Sequence, residues 1–144
     1  MRIGWKQISG KAYSLPSPSH PTHSLFPASQ LAPPASLHPT WSWETERLRQ
    51  FDRTTPHLRA SFLRTAPSTP LPAPSVIASW PAVLPARAEA KTDKEKEDIA
   101  KALEHFSLVI CEVDRVDWID LSPGFRELWL KGDKGVWTSE RIGA

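Results

Sequence analysis

Fourteen of the fifteen prolines in this 144-residue chain lie between Pro16 and Pro85. Each fixes its own φ and lacks an amide hydrogen, so a helix interior or a central strand does not run through it. The only long proline-free gap in that stretch separates Pro39 from Pro56. Residues 12–40 are rich in Ser, Pro, His and Leu and follow no sustained period, which favours turns and local polyproline II. The expected architecture has two parts. Residues 1–88 read as a mostly disordered, Pro/Ser-rich, low-complexity region with one short helix at 41–53. Residues 89–144 read as a small, marginally stable, mainly α segment, one helix with a β-hairpin over 128–138.

Charge divides at the same place. Residues 1–88 carry nine Lys/Arg against three acids, and residues 89–144 carry nine against thirteen. Such an asymmetry can support weak contact between the halves, or between the front half and an anionic partner. The single cysteine, Cys111, excludes an internal disulfide and a Cys-based zinc site. Within Leu108-Val109-Ile110-Cys111 it reads as a small buried hydrophobe. No run approaches the ~18 apolar residues of a membrane span, and the start lacks the apolar core of a secretory signal. The expected location is intracellular, in cytoplasm or nucleus, and not secreted. No acid precedes Glu44, and an acid-poor, Ser-rich start is typical of organelle transit segments. Mitochondrion or plastid is therefore the alternative.

Local signals place the elements. Thr40 can cap a helix whose first turn holds Glu44 and Glu46, with Trp41, Leu48 and Phe51 at helical spacing. Thr92-Asp93-Lys94-Glu95 has the form of a capping box. Ile99, Leu103, Phe106, Ile110 and Val113 follow at spacings of four and three, which predicts a helix over 93–113. The β-branched content of 107–113 leaves a strand open there. Two readings also compete for 125–131. Ser122 and Pro123 can start a short helix, whereas Gly132-Asp133-Lys134-Gly135 suits a hairpin turn between Leu128-Trp129-Leu130 and Val136-Trp137-Thr138. The turn chemistry favours the hairpin.

The contact motifs are short. Arg64, Pro67 and Pro70 fit basic-x-x-Pro-x-x-Pro, in which preformed polyproline II docks an aromatic groove and the cation meets an acidic pocket. An SH3-type domain is the implied partner. Ser17, Thr55, Ser68 and Thr69 are candidate phosphorylation sites, and Arg64 ahead of Ser68 with Pro70 behind it is a loose phosphoserine-adaptor pattern. The stripe Ile99, Leu103, Phe106 and Ile110 is the candidate partner interface of the C-terminal segment. Arg47, Arg49, Arg53, Arg59 and Arg64 interleave with Trp43, Phe51 and Phe62, as in single-strand binders, but Glu44, Glu46 and Asp52 dilute the charge and argue against nucleic acid.

Catalytic and metal chemistry find no support. His20 and His23 have no nearby Cys, Asp or Glu to complete a site. Asp114, Asp117 and Asp120 recur every third residue, unlike a calcium loop. There is no phosphate-binding glycine loop and no nucleophile elbow. The chain is expected to be no enzyme, to hold no cofactor, and to act as a largely disordered carrier of linear motifs for protein–protein interaction. A removable targeting region of about 88 residues is the alternative. The seven scattered tryptophans add a third reading, a translated frame with no selected function.

Overall fold

Residues 1–15 hold no proline, and Gly4–Leu15 forms strand β1 in the computed structural model, which describes residues 4–33, 40–65, 68–121 and 124–143. Short helices follow: α1 (Ala28–Leu31), α2 (Trp43–Arg53), α3 (Pro56–Ser61), α4 (Pro74–Ala78) and α5 (Asp93–His105). The chain then enters β2 (Leu108–Asp120), β3 (Phe125–Lys131) and β4 (Trp137–Gly143). The four strands make one sheet in the order β1-β2-β3-β4. Two compact units result. Residues 14–108 hold the helices, and residues 1–13 with 109–144 hold the sheet.

In the sheet unit β2 pairs antiparallel with β3, with Val116 opposite Trp129 and Asp120 opposite Phe125. β3 pairs antiparallel with β4, with Trp129 opposite Ser139 and Lys131 opposite Trp137. The β3–β4 turn is closed by the Gly135 N–H donating to the Gly132 carbonyl at 2.8 Å. Gly135 has φ +74°, a left-handed conformation that glycine adopts without Cβ strain. At Gly10 the reason for glycine is space. A Cβ there would stand 2.1 Å from the Glu112 carbonyl oxygen, so β1 approaches β2 only because that side chain is missing. Asp117, on β2, is buried and accepts from Arg126 Nε at 2.8 Å and from Arg115 at 3.3 Å. These guanidinium groups, Arg126 foremost, hold its carboxyl below the ordinary carboxylate value.

The helical unit is built on Phe51, Ala60, Leu84, Ile99, Ala102 and Phe106, with Phe62 and Leu103 packed against them. Phe106 meets Phe51 and Phe62 edge-on at 5.4 and 5.1 Å, a geometry that sets ring edges on ring faces. Burying one such side chain contributes roughly 1.5–3 kcal/mol. Two buried arginines close the helix ends. Arg47 pairs with Glu44 through two contacts of 2.8 Å and donates to the Leu103 and Phe106 carbonyls at 3.0 and 3.1 Å. Those carbonyls lie at the end of α5, where intrahelical donors run out and the helix dipole favours a cation. Arg59 does the same for α2, donating to the carbonyls of Asp52 and Thr54, and also to Leu84 at 2.9 Å.

The expectation of disorder over 1–88 is overturned. The prolines punctuate helices that already exist around them. Pro56 and Pro74 stand in the first turns of α3 and α4, where an amide hydrogen has no intrahelical partner to lose. Leu84, between Pro81 and Pro85, is buried, and its N–H donates to the Pro56 carbonyl at 3.0 Å. Proline also narrows the unfolded ensemble, so less entropy is lost on ordering the segment.

The mainly α reading of the C-terminal segment is corrected too. α5 stops at His105, Phe106 turns extended, and the predicted second half of the helix is strand. Val109, Ile110, Val113, Val116 and Ile119 suit the pleat better than a helix. Residues 125–131 are strand as well. Ser42, rather than Thr40, caps α2, accepting from Thr45 N–H at 3.1 Å. Cys111 is exposed, because strand alternation turns it away from the side that half-buries Ile110.

Candidate functional site

The helical unit contains a cleft of about 410 Å³ lined by His20, Ser61, Phe62, Arg64, Thr65, Glu104, His105 and Ser107. Three stretches of chain meet there. The α3 helix ends at Ser61, and its C-cap Phe62 turns toward the aromatic core while Arg64 and Thr65 continue outward. The end of α5 brings Glu104 and His105, and the turn after Pro16 brings His20.

Hydrogen-bond partners fix the histidine tautomers. His105 Nδ1 lies 2.7 Å from the Phe62 carbonyl. A carbonyl only accepts, so Nδ1 carries the hydrogen and Nε2 is left as an acceptor in the neutral ring. His20 is the mirror case. Its Nδ1 receives the Thr22 N–H at 3.2 Å, so the neutral ring keeps its hydrogen on Nε2. The Arg64 guanidinium has no ion pair among the described residues, and Arg64 and Thr65 are exposed. The cleft thus assembles one free guanidinium, two imidazoles, three hydroxyls and one aromatic ring, with Glu104 the only carboxylate. Toward an oxyanion its donors are Arg64, the His20 Nε2–H and the Thr65 and Ser107 hydroxyls, whereas the Ser61 hydroxyl donates to the Leu58 carbonyl at 2.7 Å. The cleft contains no nucleophile–base–orienter chain of the kind covalent catalysis needs.

The residues singled out in the sequence are dispersed. Arg64 lines the cleft; Pro70 is exposed outside any helix or strand, and Pro67 lies outside the described residues. Ile99 and Phe106 are buried in the helical core, with Leu103 packed on it, whereas Ile110 lies on β2 in the sheet unit. Ser17 is buried and bonds Ser19 at 3.0 Å. Thr55 caps α3 by accepting from Leu58 N–H at 3.3 Å, and Ser68 and Thr69 are exposed. Arg47 and Arg59 are absorbed by helix ends, and Arg49 and Arg87 by Glu46 and Asp52 at 2.7 and 2.8 Å. The Arg/aromatic stretch is therefore largely structural. His20 and His105 were not legible as partners, since 84 residues of chain lie between them and only the fold joins them. Among the described residues no group of three His, Cys, Asp or Glu could hold a metal ion, and no helix is long and apolar enough to cross a membrane.

No family model and no curated protein matches the chain. Among solved structures it is similar to a pyridoxamine 5'-phosphate oxidase-related, FMN binding protein from Nostoc punctiforme PCC 73102, at a TM-score of 0.56 and 16% identity. The match covers 98% of this chain and 57% of that one. The chain thus spans little more than half the length of that protein, and at this identity the likeness is one of fold. It overturns the expectation of a disordered, low-complexity motif carrier: the chain is mostly ordered, and its architecture is that of a folded domain.

Proposed function

We propose that this chain is a non-catalytic binding protein for a planar heteroaromatic ligand carrying a phosphate ester, and that the cleft of the helical unit receives it. The observation that carries the reading is the convergence of Arg64 and His20 with the hydroxyls of Thr65 and Ser107 beside a single aromatic ring. A guanidinium binds phosphate through charge-assisted hydrogen bonds, and an imidazole N–H and hydroxyls complete its oxygens. A volume of about 410 Å³ is within the range of small-molecule sites. The fold neighbour is an FMN binding protein, and FMN has this chemistry: a flat ring system joined to a phosphate. Arg64, His20 and the hydroxyls of Thr65 and Ser107 fit the phosphate end, and Phe62 is the ring-facing residue. Glu104 disfavours a second anionic group and so selects a monophosphate. An intracellular location accompanies the reading, because phosphate esters do not cross membranes unaided.

Titration of the full chain with FMN and with riboflavin, followed by flavin fluorescence, tests this. FMN is expected to bind at least about tenfold more tightly than riboflavin, and Arg64→Gln to remove most of that preference, since a hydrogen bond to a charged group contributes about 1.5–3 kcal/mol. Equal affinity for the two flavins, or none for either, contradicts it.

A further inference from the structure

Strand register places three tryptophans on one face of the sheet. Trp118 of β2 stands opposite Glu127, two positions from Trp129 of β3. Trp129 stands opposite Ser139, two positions from Trp137 of β4. Each step crosses one strand, about 4.8 Å, and advances two residues, about 6.8 Å. The Cα positions of the three tryptophans therefore form a diagonal row with successive spacings of about 8 Å by the same geometry. With Val116 and Lys6 they line a hollow of about 360 Å³. Trp129 and Trp137 remain more than a third exposed, although indole is among the side chains that gain most from burial. Their N–H groups have no hydrogen-bond partner among the described residues.

Charge narrows what lies along the row. On this face Lys6 stands over Trp118 at 5.4 Å, Arg141 over Phe125 at 4.4 Å and Lys131 beside Glu112 at 3.6 Å, and Lys11 lies with Glu112, Asp114 and Lys131 at one end. Glu112, Asp114, Asp120 and Glu127 share the face by strand alternation. A balanced face does not attract a polyanion, so a nucleic acid backbone is disfavoured. What fits is an extended, uncharged ligand with flat apolar surfaces repeating near 8–9 Å and with carbonyls free to accept from indole N–H groups. Polyproline II has three residues per turn at 3.1 Å each, a repeat of about 9.3 Å, and its backbone carbonyls have no internal partners. Proline rings on aromatic grooves are an established recognition mode for that conformation, because its ordering cost is already met.

We propose that the Trp118–Trp129–Trp137 row is a docking site for a proline-rich peptide in the polyproline II conformation. The site lies wholly within the sheet unit and does not depend on the cleft reading.

The test adds a decaproline peptide to the full chain and follows tryptophan emission and heat of binding, beside a Gly/Ser decapeptide, an oligothymidylate and a cello-oligosaccharide. Decaproline alone is expected to bind, and Trp129→Ala to weaken it about tenfold, as loss of a central aromatic anchor does. Trp137→Ala, on an exposed strand, is expected to weaken it with the far-ultraviolet circular dichroism unchanged. Absence of decaproline binding overturns the proposal, as does binding that both variants leave intact. Preference for the oligothymidylate or the oligosaccharide overturns it in favour of those ligands.

Discussion

The two units of this chain reach order by different means. In the helical unit the side chains do it. Phe51, Ala60 and Ala102 are fully buried, three phenylalanines pack edge to face, and two buried arginines occupy the carbonyl ends of α2 and α5. In the sheet unit the backbone does it. β4 is exposed along its whole length, yet it pairs with β3 at every residue from Trp137 to Gly143. A unit held by interior packing keeps its polar chemistry in a cleft between elements. A unit held by strand pairing leaves a face of indoles to solvent. The proposed phosphate cleft and the proposed peptide row follow that division.

The largest expected effect lies in the helical interior. Phe51→Ala is expected to cost about 3–5 kcal/mol of stability in urea unfolding, as large-to-small changes at buried aromatics do. Trp137→Ala in the sheet unit is expected to stay within about 0.5 kcal/mol, as exposed substitutions do. Comparable costs at the two positions would break the contrast. Next comes Arg47→Met, which keeps the apolar stem but leaves the Leu103 and Phe106 carbonyls without their donor. A loss of about 1–3 kcal/mol is expected from unsatisfied buried acceptors, read as a lower urea midpoint. An unchanged midpoint would show that water replaces the guanidinium.

The smallest effect concerns pH and belongs to the sheet unit. Hydrogen bonds from Arg126, then Arg115, hold Asp117 below its ordinary value of 3.8. A carboxyl whose folded value is depressed stabilises the fold in full above the unfolded value, and that contribution is lost as pH falls through 3.8 toward the folded value. Asp117→Asn is therefore expected to be less stable than the parent at pH 6, with the difference shrinking below pH 3.8. A difference that is constant across that window would remove Arg126 and Arg115 as the cause.

Local chemistry was the legible part. The Thr92 hydroxyl accepts from Glu95 N–H at 3.1 Å while the Glu95 carboxylate accepts from Thr92 N–H at 2.9 Å, and four adjacent residues specify that arrangement. The Gly132–Gly135 turn is of the same kind. What escaped was set by partners distant in the chain. β1 has little apolar alternation and exists by pairing with β2, which Gly10 permits by lacking a side chain. Arg47 and Arg59 read as surface cations until the carbonyls they serve, as many as 59 positions away for Arg47, are in place. The prolines read as breakers because their sequence positions do not say whether each falls inside an element or at its first turn. The cleft escaped for the same reason, since His20, Arg64 and His105 share no local pattern.

Order within the proline-rich stretch is the claim on which the rest stands, and amide hydrogen exchange on the full chain tests it most directly. The Leu84 N–H, bonded to the Pro56 carbonyl, and the core amides of α2 and α5 are expected to exchange together, and at least about a hundredfold more slowly than in an unfolded chain, as amides opened only by cooperative unfolding do. Exchange at Leu84 and throughout α2 at unfolded-chain rates, with protection confined to the sheet strands, would contradict it.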